Sequence, residues 1–596
     1  MIFSLFYFFS QIALTGMFLL YPKNNTKLPL FLWVIPMILM PEIFACSVGG
    51  VLTAVGLPAD ITTIGIGNFA AAGFLYLLIR RKGSKVQQYF FDWKNGISIG
   101  ILTIIALFVA YIRFTPALNI SFETSDPSIH MQMAMDSLIA HSVLSPRTFM
   151  FMGNFTNSLF LRFWLPFVGN ENLYRVFIVK LCLNWLVDAS IFFCIIRTIF
   201  KKNSGHFVSL GISVLYFLGY PLTNLLFGFN YLGLTVTLFL FLIFIEQQRA
   251  ENILPVWMAY ILLSITCFSI AVGYVIFAPI AFFWVFLSLS LDYWREKRKF
   301  MDFGYIKMQL SVFLFPTLLM LLYYFVLIER LGGNNDISGL MAEGYIYRNL
   351  YSDFILVLPF SAIGLSLLVQ MRNSQNNTLL SMVLFAIIET LVLVFLLLKG
   401  KISSYYYFKI NFLLWPLIWI LAAVAVAYLF EHLKISVYFL TIIVVAVFGM
   451  FVLQIEKRMN EHSIQVNPGP YATSETWMRN YEFNEFILQR EPFDKNKTIL
   501  YSQLRNELKN YPGQITFLGY WLDSYWCEAI TDVRNSYLVQ GTEDATDVLT
   551  KISDIGSGHC IVLQKDVENF NVYYPKIKET ADEVWENDAG YIFVTR

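Results

Sequence analysis

The segment Ser121–His130, reading SFETSDPSIH, sets Glu123, Asp126 and His130 within eight residues, and His130 stands four residues after Asp126. A carboxylate so placed can take a proton from a hydroxyl, and an imidazole one helical turn away can support it or contact the same substrate. Pro127 suits the first position of a helix with Asp126 as its cap, so the spacing predicts a helix from 127 to about 142. At 100° per residue, Asp126, His130, Ser137 and His141 fall within a stripe of about 60°, while Met131, Met135, Leu138 and Ile139 cover the opposite side. Such a helix is expected to lie in the headgroup region with its polar seam toward water or a cleft, where partial desolvation raises the basicity of the acid. Ser-Asp-Pro is equally an ordinary helix start, so on local sequence alone Asp126 reads either as a base or as a cap.

A second group of chemically capable residues lies far along the chain. Lys399-Gly400-Lys401-Ile402-Ser403-Ser404-Tyr405-Tyr406-Tyr407-Phe408-Lys409 gathers three cations and three phenols in a short stretch. Lysines there suit an anionic headgroup or a diphosphate, and the competing reading is an aromatic belt with snorkelling lysines. Arg348 is a further candidate for phosphate, because a guanidinium grips phosphate through two parallel hydrogen bonds. Lys180, Asn184 and Asp188 recur every fourth residue and share a helix face, as a polar ladder or as a structural Lys–Asp pair. Glu42 and Glu389 fall in or near apolar stretches and are expected to be buried with partners. In Gly519-Tyr520-Trp521-Leu522-Asp523-Ser524-Tyr525-Trp526 the rings could stack on sugars, although core aromatics of a small domain have the same appearance.

The elements that must position these residues are set by composition. Apolar side chains make up 57% of the 596 residues, charged ones 14%, and the mean hydropathy is +0.60. That exceeds what a soluble chain needs to fill its cores, so lipid is the main solvent. Apolar runs long enough to cross a hydrocarbon core of roughly 30 Å recur at 2–21, 28–46, 62–79, 96–114, 174–196, 206–226, 228–245, 254–271, 273–291, 308–328, 354–370, 379–398, 410–430 and 435–454, about fourteen helices in all. Basic residues concentrate beside cytoplasmic helix ends. The clusters Arg80-Arg81-Lys82-Lys85 and Arg295-Lys297-Arg298-Lys299 therefore lie inside, and both termini come out extracytoplasmic.

Three outer segments are long for helix connections, namely 115–173, 329–353 and the C-terminal tail, and function concentrates in such loops. The tail is expected to fold as a small extracytoplasmic α/β domain over 455–596. Its predicted elements are a helix at 474–490 and strands at Thr498–Tyr501, Gln514–Leu518, Cys560–Leu563 and Tyr591–Val594. The predicted architecture is thus an all-α polytopic bundle: three N-terminal helices over 1–95, a transmembrane module over 96–454, and that domain. The formal net charge of +1 gives no field to gather nucleic acid, and six scattered cysteines lack metal-ligand spacing.

A first large outer loop opening on an acidic motif, followed by juxtamembrane helices and many spans, resembles the GT-C superfamily of membrane glycosyltransferases. The Asp126…His130 spacing is similar to that of its bacterial members that act on cell-surface glycans. The resemblance covers roughly 96–430 as architecture, and the motif-bearing loop here follows four spans where that loop normally follows the first. It implies an inverting transferase that moves a sugar from a polyprenyl-phosphate donor to a glycan or lipid-linked acceptor of the cell envelope. Asp126 would be the catalytic carboxylate, His130 and Glu123 its companions, and Lys180, Arg348, Lys399, Lys401, Tyr405 and Lys409 the lipid-phosphate contacts. No cofactor is expected, and Glu123 beside Asp126 leaves a divalent metal open. The rival readings are a transporter or flippase, a polymerase or ligase with another donor, and a non-catalytic subunit of an envelope complex.

Overall fold

In lipid every backbone N–H and C=O must be satisfied within its own segment, which makes helices of the apolar runs. The computed structural model describes the chain except residues 21–26, 82–86, 121, 123–125, 144–151, 201–204, 296–301, 329–356, 371–373, 433–494, 514, 534, 540–546, 548–549 and 551–555. Its first helices are α1 (Ile2–Leu19), α2 (Leu30–Met37), α3 (Met40–Ala54), α4 (Ile61–Arg81), α5 (Trp93–Phe114), α6 (Asp126–Ala140), α7 (Met152–Val168) and α8 (Leu173–Ile199). They continue as α9 (His206–Phe217), α10 (Tyr220–Phe227), α11 (Asn230–Ala250), α12 (Val256–Gly273) and α13 (Ala278–Arg295). Beyond these lie helices at Leu358–Gln370, Ser374–Leu398, Ser404–Phe408 and Ile410–His432.

Among the described residues 11 helices are long and apolar enough to cross a membrane, or up to 12 when α9 and α10, bent by 41°, count as one span. Of the remaining predicted spans, 354–370 appears as the shorter apolar helix Leu358–Gln370, and 435–454 lies outside the described residues. The bundle centres on α8 and α11, which are buried on most faces, and planar rings tighten their contacts. Trp185 stacks on Phe217 at 4.0 Å between centroids, and Phe192 on Tyr216 at 3.8 Å. Near the end of α11 the acids Glu246 and Asp292 both bind Arg249, which lets three charges sit in a largely apolar setting.

The described C-terminal region holds helices at Lys495–Glu507, Trp521–Thr531 and Phe570–Thr580. Two short strands near the N-terminus, β1 (Leu28–Pro29) and β2 (Tyr89–Phe90), pair in parallel. The C-terminal strands are β3 (Ile515–Leu518), β4 (Asn535–Val539), β5 (Cys560–Gln564), β6 (Ala581–Glu586) and β7 (Gly590–Thr595), in the order β4-β3-β5-β7-β6. The first three neighbours run parallel, and β7 and then β6 run antiparallel. Every residue of β3 and β5 is buried, as expected where both faces of a sheet are covered. Three predicted strands appear in place. Thr498–Tyr501 instead lies inside the helix Lys495–Glu507, because Thr498, Tyr501 and Leu504 recur at helical spacing and bury one face. The predicted helix at 474–490 lies outside the described residues.

This domain rests on α6. The Trp521–Thr531 helix packs along it, and the Trp526 ring, fully buried, stacks on Phe122 at 5.9 Å with only 7° between planes. Around that stack, the Ile120 N–H donates to Thr498 Oγ1 at 3.2 Å, Asn170 Nδ2 donates to Asp532 Oδ2 at 2.7 Å, and Arg505 faces Glu171 at 3.6 Å.

Candidate active site

Helix α6 starts at Asp126, and its first turn is fixed by a close approach of backbone. Gly228, at φ +75°, ends α10 directly against Pro127, and a Cβ there would stand 2.2 Å from the proline ring. Only glycine meets both demands. The expected wet seam is not what forms. His130 and Ser137 are buried along with Met131 and Met135, because α7 covers one side of α6 and the C-terminal domain another, and Ile139 is left 63% exposed. His141, at the far end, turns to a left-handed backbone conformation and pairs with Asp60 at 3.3 Å.

What surrounds Asp126 is aromatic and cationic. Lys409, only 2% exposed, donates from Nζ to the Tyr231 hydroxyl at 2.6 Å. Its ammonium lies over the rings of Tyr405 (4.0 Å), Tyr406 (4.8 Å), Tyr231 (5.2 Å), Phe229 (5.6 Å) and Tyr274 (5.6 Å). Ring faces of negative potential hold a desolvated cation at modest cost. The Tyr231 ring also lies 5.2 Å from that of His130, and its hydroxyl bonds that of Tyr405. Four distant pieces of chain, α6, the start of α11, the end of α12 and the Ser404–Phe408 helix, thus converge on one small volume.

Burial pushes the Asp126 carboxyl up to about 6, and the charge of Lys409 restrains the rise. His130 moves the other way, to about 3, because burial and the neighbouring ammonium both oppose its protonation while the bond from Asn154 favours it. The imidazole is therefore neutral at physiological pH. Asn154 Nδ2 lies 3.4 Å from Nδ1, so when it donates there the ring proton sits on Nε2. The pair is an acid whose basicity suits proton abstraction near neutrality and a neutral ring that adds no charge of its own.

No protein-family model matches the sequence, and no curated protein does. Several solved chains are similar to it, two of them structures of one protein. ArnT from Cupriavidus metallidurans bound to undecaprenyl phosphate, and the same protein in the apo state, each align over 83% of this chain and 97% of theirs. Identity is 10% and the TM-score 0.49 for both. A likeness of that degree transfers no residue roles, and the chemistry is argued from this chain's own side chains.

Those side chains divide clearly. Asp126, His130, Tyr405 and Lys409 come together. Lys399 and Lys401 sit on the exposed turn before the Ser404–Phe408 helix, apart from the Lys409 cage. Lys180 pairs with Glu42 at the edge of a separate cavity of about 470 Å³ lined by Phe8, Phe160 and Trp164. Asp188 accepts instead from Tyr216 at 2.8 Å and Thr237 at 3.1 Å, so the predicted Lys180–Asp188 pairing gives way to two separate partnerships: the acid found hydroxyls closer at hand. Glu123 and Arg348 lie outside the described residues. Among the described residues no three His, Cys, Asp or Glu side chains gather around a common point.

Sequence reasoning missed Tyr231, Tyr274 and Asn154. An aromatic after the Gly228 break and a polar residue amid apolar ones were the only traces. Tyr520, 51% exposed at the start of the domain helix, lies near enough for the charge of Asp126 to raise its phenol, after the larger effect of burial. Trp526, of the segment whose rings read either as sugar platforms or as core aromatics, is core.

Proposed function

We propose that the chain is a membrane glycosyltransferase that moves a sugar from a polyprenyl-phosphate donor to an acceptor hydroxyl at the extracytoplasmic membrane boundary. The observation that carries this reading is one buried site holding an acid of raised basicity and a caged cation. The acceptor hydroxyl gives its proton to Asp126 as its oxygen bonds to the anomeric carbon. The bond from that carbon to the phosphate oxygen breaks at the same time, and the electron pair leaves with the lipid phosphate. A single displacement inverts the anomeric configuration.

Charge grows on the departing phosphate oxygen, and Lys409 is the described cation placed to meet it. A fixed charge in a water-poor site stabilises such development far more than a solvated one. Tyr405 and Tyr231 hold that ammonium, and His130, neutral and held by Asn154, offers a hydrogen bond to a sugar hydroxyl without competing for the proton. The sugar, the acceptor and the envelope polymer they serve belong to the same proposal, and the resemblance noted from the Asp126 motif supports it.

The test uses purified protein in lipid nanodiscs supplied with undecaprenyl-phosphate hexoses and with an envelope glycan and glycolipid extract as acceptor, with release of undecaprenyl phosphate as the readout. The wild type releases it, and Asp126→Asn, which keeps the shape of the side chain while losing its basicity, is expected to release about 10² to 10⁴ times less. Equal release by both proteins would reject Asp126 as base, and none by either would reject these donors.

A further inference from the structure

At the opposite end of the bundle, where the basic-residue distribution places the cytoplasm, a cavity of about 850 Å³ opens between the ends of α2, α5, α8, α9 and α11. Two cations line it. Arg197, near the end of α8, is 8% exposed, and Lys94 is exposed at the start of α5. The polar contacts of Arg197 are both to the His206 ring, from Nε to Nδ1 and between Nη2 and Nε2, each at 3.3 Å. Neither Arg197 nor Lys94 has a carboxylate within ion-pair distance among the described residues. The nearby acid Asp92 is engaged, accepting from the Phe31 N–H at 2.9 Å and from Asn95 Nδ2 at 2.7 Å. Glu251, the other acid in the lining, has partners of its own.

A guanidinium that is nine-tenths buried at a membrane boundary, with Asp92 acting on it only from beyond ion-pair distance, is incompletely neutralised, and elsewhere this protein avoids that cost. Arg249 is neutralised by two carboxylates and Lys180 by one. The apolar lining is equally specific. Trp33 and Phe244 meet edge to face at 5.8 Å, and Phe91 and Trp93 stand 69% and 56% exposed at the mouth, the interfacial placement that aromatic rings favour. Cations within and aromatic rings at the rim together describe an amphiphile with a phosphate head.

We infer that this cavity seats the phosphate headgroup of a phospholipid from the cytoplasmic leaflet, with Arg197 and Lys94 as its counter-ions and the chains leaving past Phe91 and Trp93. Arginine supplies the paired donors that a phosphate accepts, and Lys94 adds a mobile charge. The site stands apart from Asp126, so its occupancy depends only on the orientation of the chain and not on the proposed reaction. Its role is to neutralise the α8 terminus and fix that end of the bundle.

The same anion chemistry could be met by free phosphate, so the experiment separates the sources. Delipidated full-length protein is titrated with phosphatidylglycerol, with a phosphate-free diacylglycerol glycolipid and with inorganic phosphate, and retained lipid is counted by native mass spectrometry alongside the melting temperature. One phosphatidylglycerol per chain is expected to survive, to be weakened about tenfold in Lys94→Gln and about tenfold or more in Arg197→Gln, and to raise the melting temperature of the wild type alone. Lys94 is exposed, so its variant folds even if the Arg197 variant does not. Equal retention of the glycolipid would make the cavity merely apolar, a full shift from inorganic phosphate would make it a soluble-anion site, and unchanged retention in Lys94→Gln would place the lipid elsewhere. Each of these results overturns the inference.

Discussion

Asp126 carries the strongest prediction, because its environment sets both its reactivity and its cost. A carboxyl raised to about 6 is largely ionised at pH 7 and largely protonated at pH 5, so the rate limited by proton abstraction should rise with pH and level off above a midpoint near 6. A pH profile of kcat/KM that lacks this acid limb would remove the assignment. The stability sign is opposite. The folded state binds the proton more tightly than the unfolded chain, so this group favours the fold below pH 4 and loses that advantage as pH rises to about 6. Asp126→Asn should therefore melt no lower than wild type at pH 7.5 while turning over about 10² to 10⁴ times more slowly. Lys409→Met tests the other half of the site. It removes the charge and keeps the volume inside the aromatic cage, so the protein should stay folded and lose roughly 10² to 10³ in turnover, the usual effect of deleting one fixed donor. Asp126 and Lys409 could both be picked out in the sequence, the first by its helix start and the second by its basic, aromatic segment. Sequence could not separate Lys409 from Lys399 and Lys401, since that distinction is made by rings contributed from α11 and α12. The same holds for Tyr231 and Asn154, whose significance lies only in what they touch.

At the scale of elements, the C-terminal domain is the part whose role the linear pattern concealed. Its strands at β3, β5 and β7 announce themselves as apolar runs, whereas the helix at Lys495–Glu507 hides one, because Thr498-Ile499-Leu500-Tyr501 has β-favouring residues on a helical backbone. More consequential is the contact with α6, which depends on a ring pair more than 400 positions apart in sequence, Phe122 with Trp526. Trp526→Ala empties a fully buried site, at a cost of about 3–5 kcal/mol. The melting transition should fall, and kcat should fall with it as α6 loses its cover, while donor binding at the Lys409 cage is kept. Loss of donor binding to the same extent would mean that the domain does more than hold α6. Lys497 offers an independent check on the domain itself. It bonds the buried Asp523 at 2.6 Å and Asp566 at 2.7 Å, and although burial opposes its charge the two acids raise it above an ordinary lysine. Lys497→Met leaves Asp523 buried without its cation, which costs about 3–5 kcal/mol. That deficit in melting stability should persist through neutral pH and shrink only above the ordinary lysine value of 10.5, where the unfolded chain has lost its proton and the native pair begins to lose its own.

For the whole molecule, the decisive question is which end of the bundle faces out, because Asp126 can serve a lipid-linked donor of the outer leaflet only from that side. Sequence answers through its basic clusters: Arg80 and Arg81 end α4, and α5 then returns across the membrane to deliver α6 to the opposite face. The helices needed for that path were legible as apolar runs, and even the bend between α9 and α10 falls within a run read as one span. The caged cluster around Asp126 and the cavity at the other end were not legible, since each is built by side chains from helices that are neighbours only after folding. Orientation can be measured with little background, because five of the six cysteines are buried and Cys182, the half-buried one, lies inside a membrane-length helix. Lys576, 59% exposed on the C-terminal domain, becomes a reporter as Lys576→Cys, and exposed Gln88, between α4 and α5, becomes another as Gln88→Cys. In intact cells a membrane-impermeant maleimide should label the first and spare the second, with the second labelled only after permeabilisation. The reverse pattern would turn the molecule over, placing Asp126 and its cage beside the cytoplasm and ending the case for an extracytoplasmic donor.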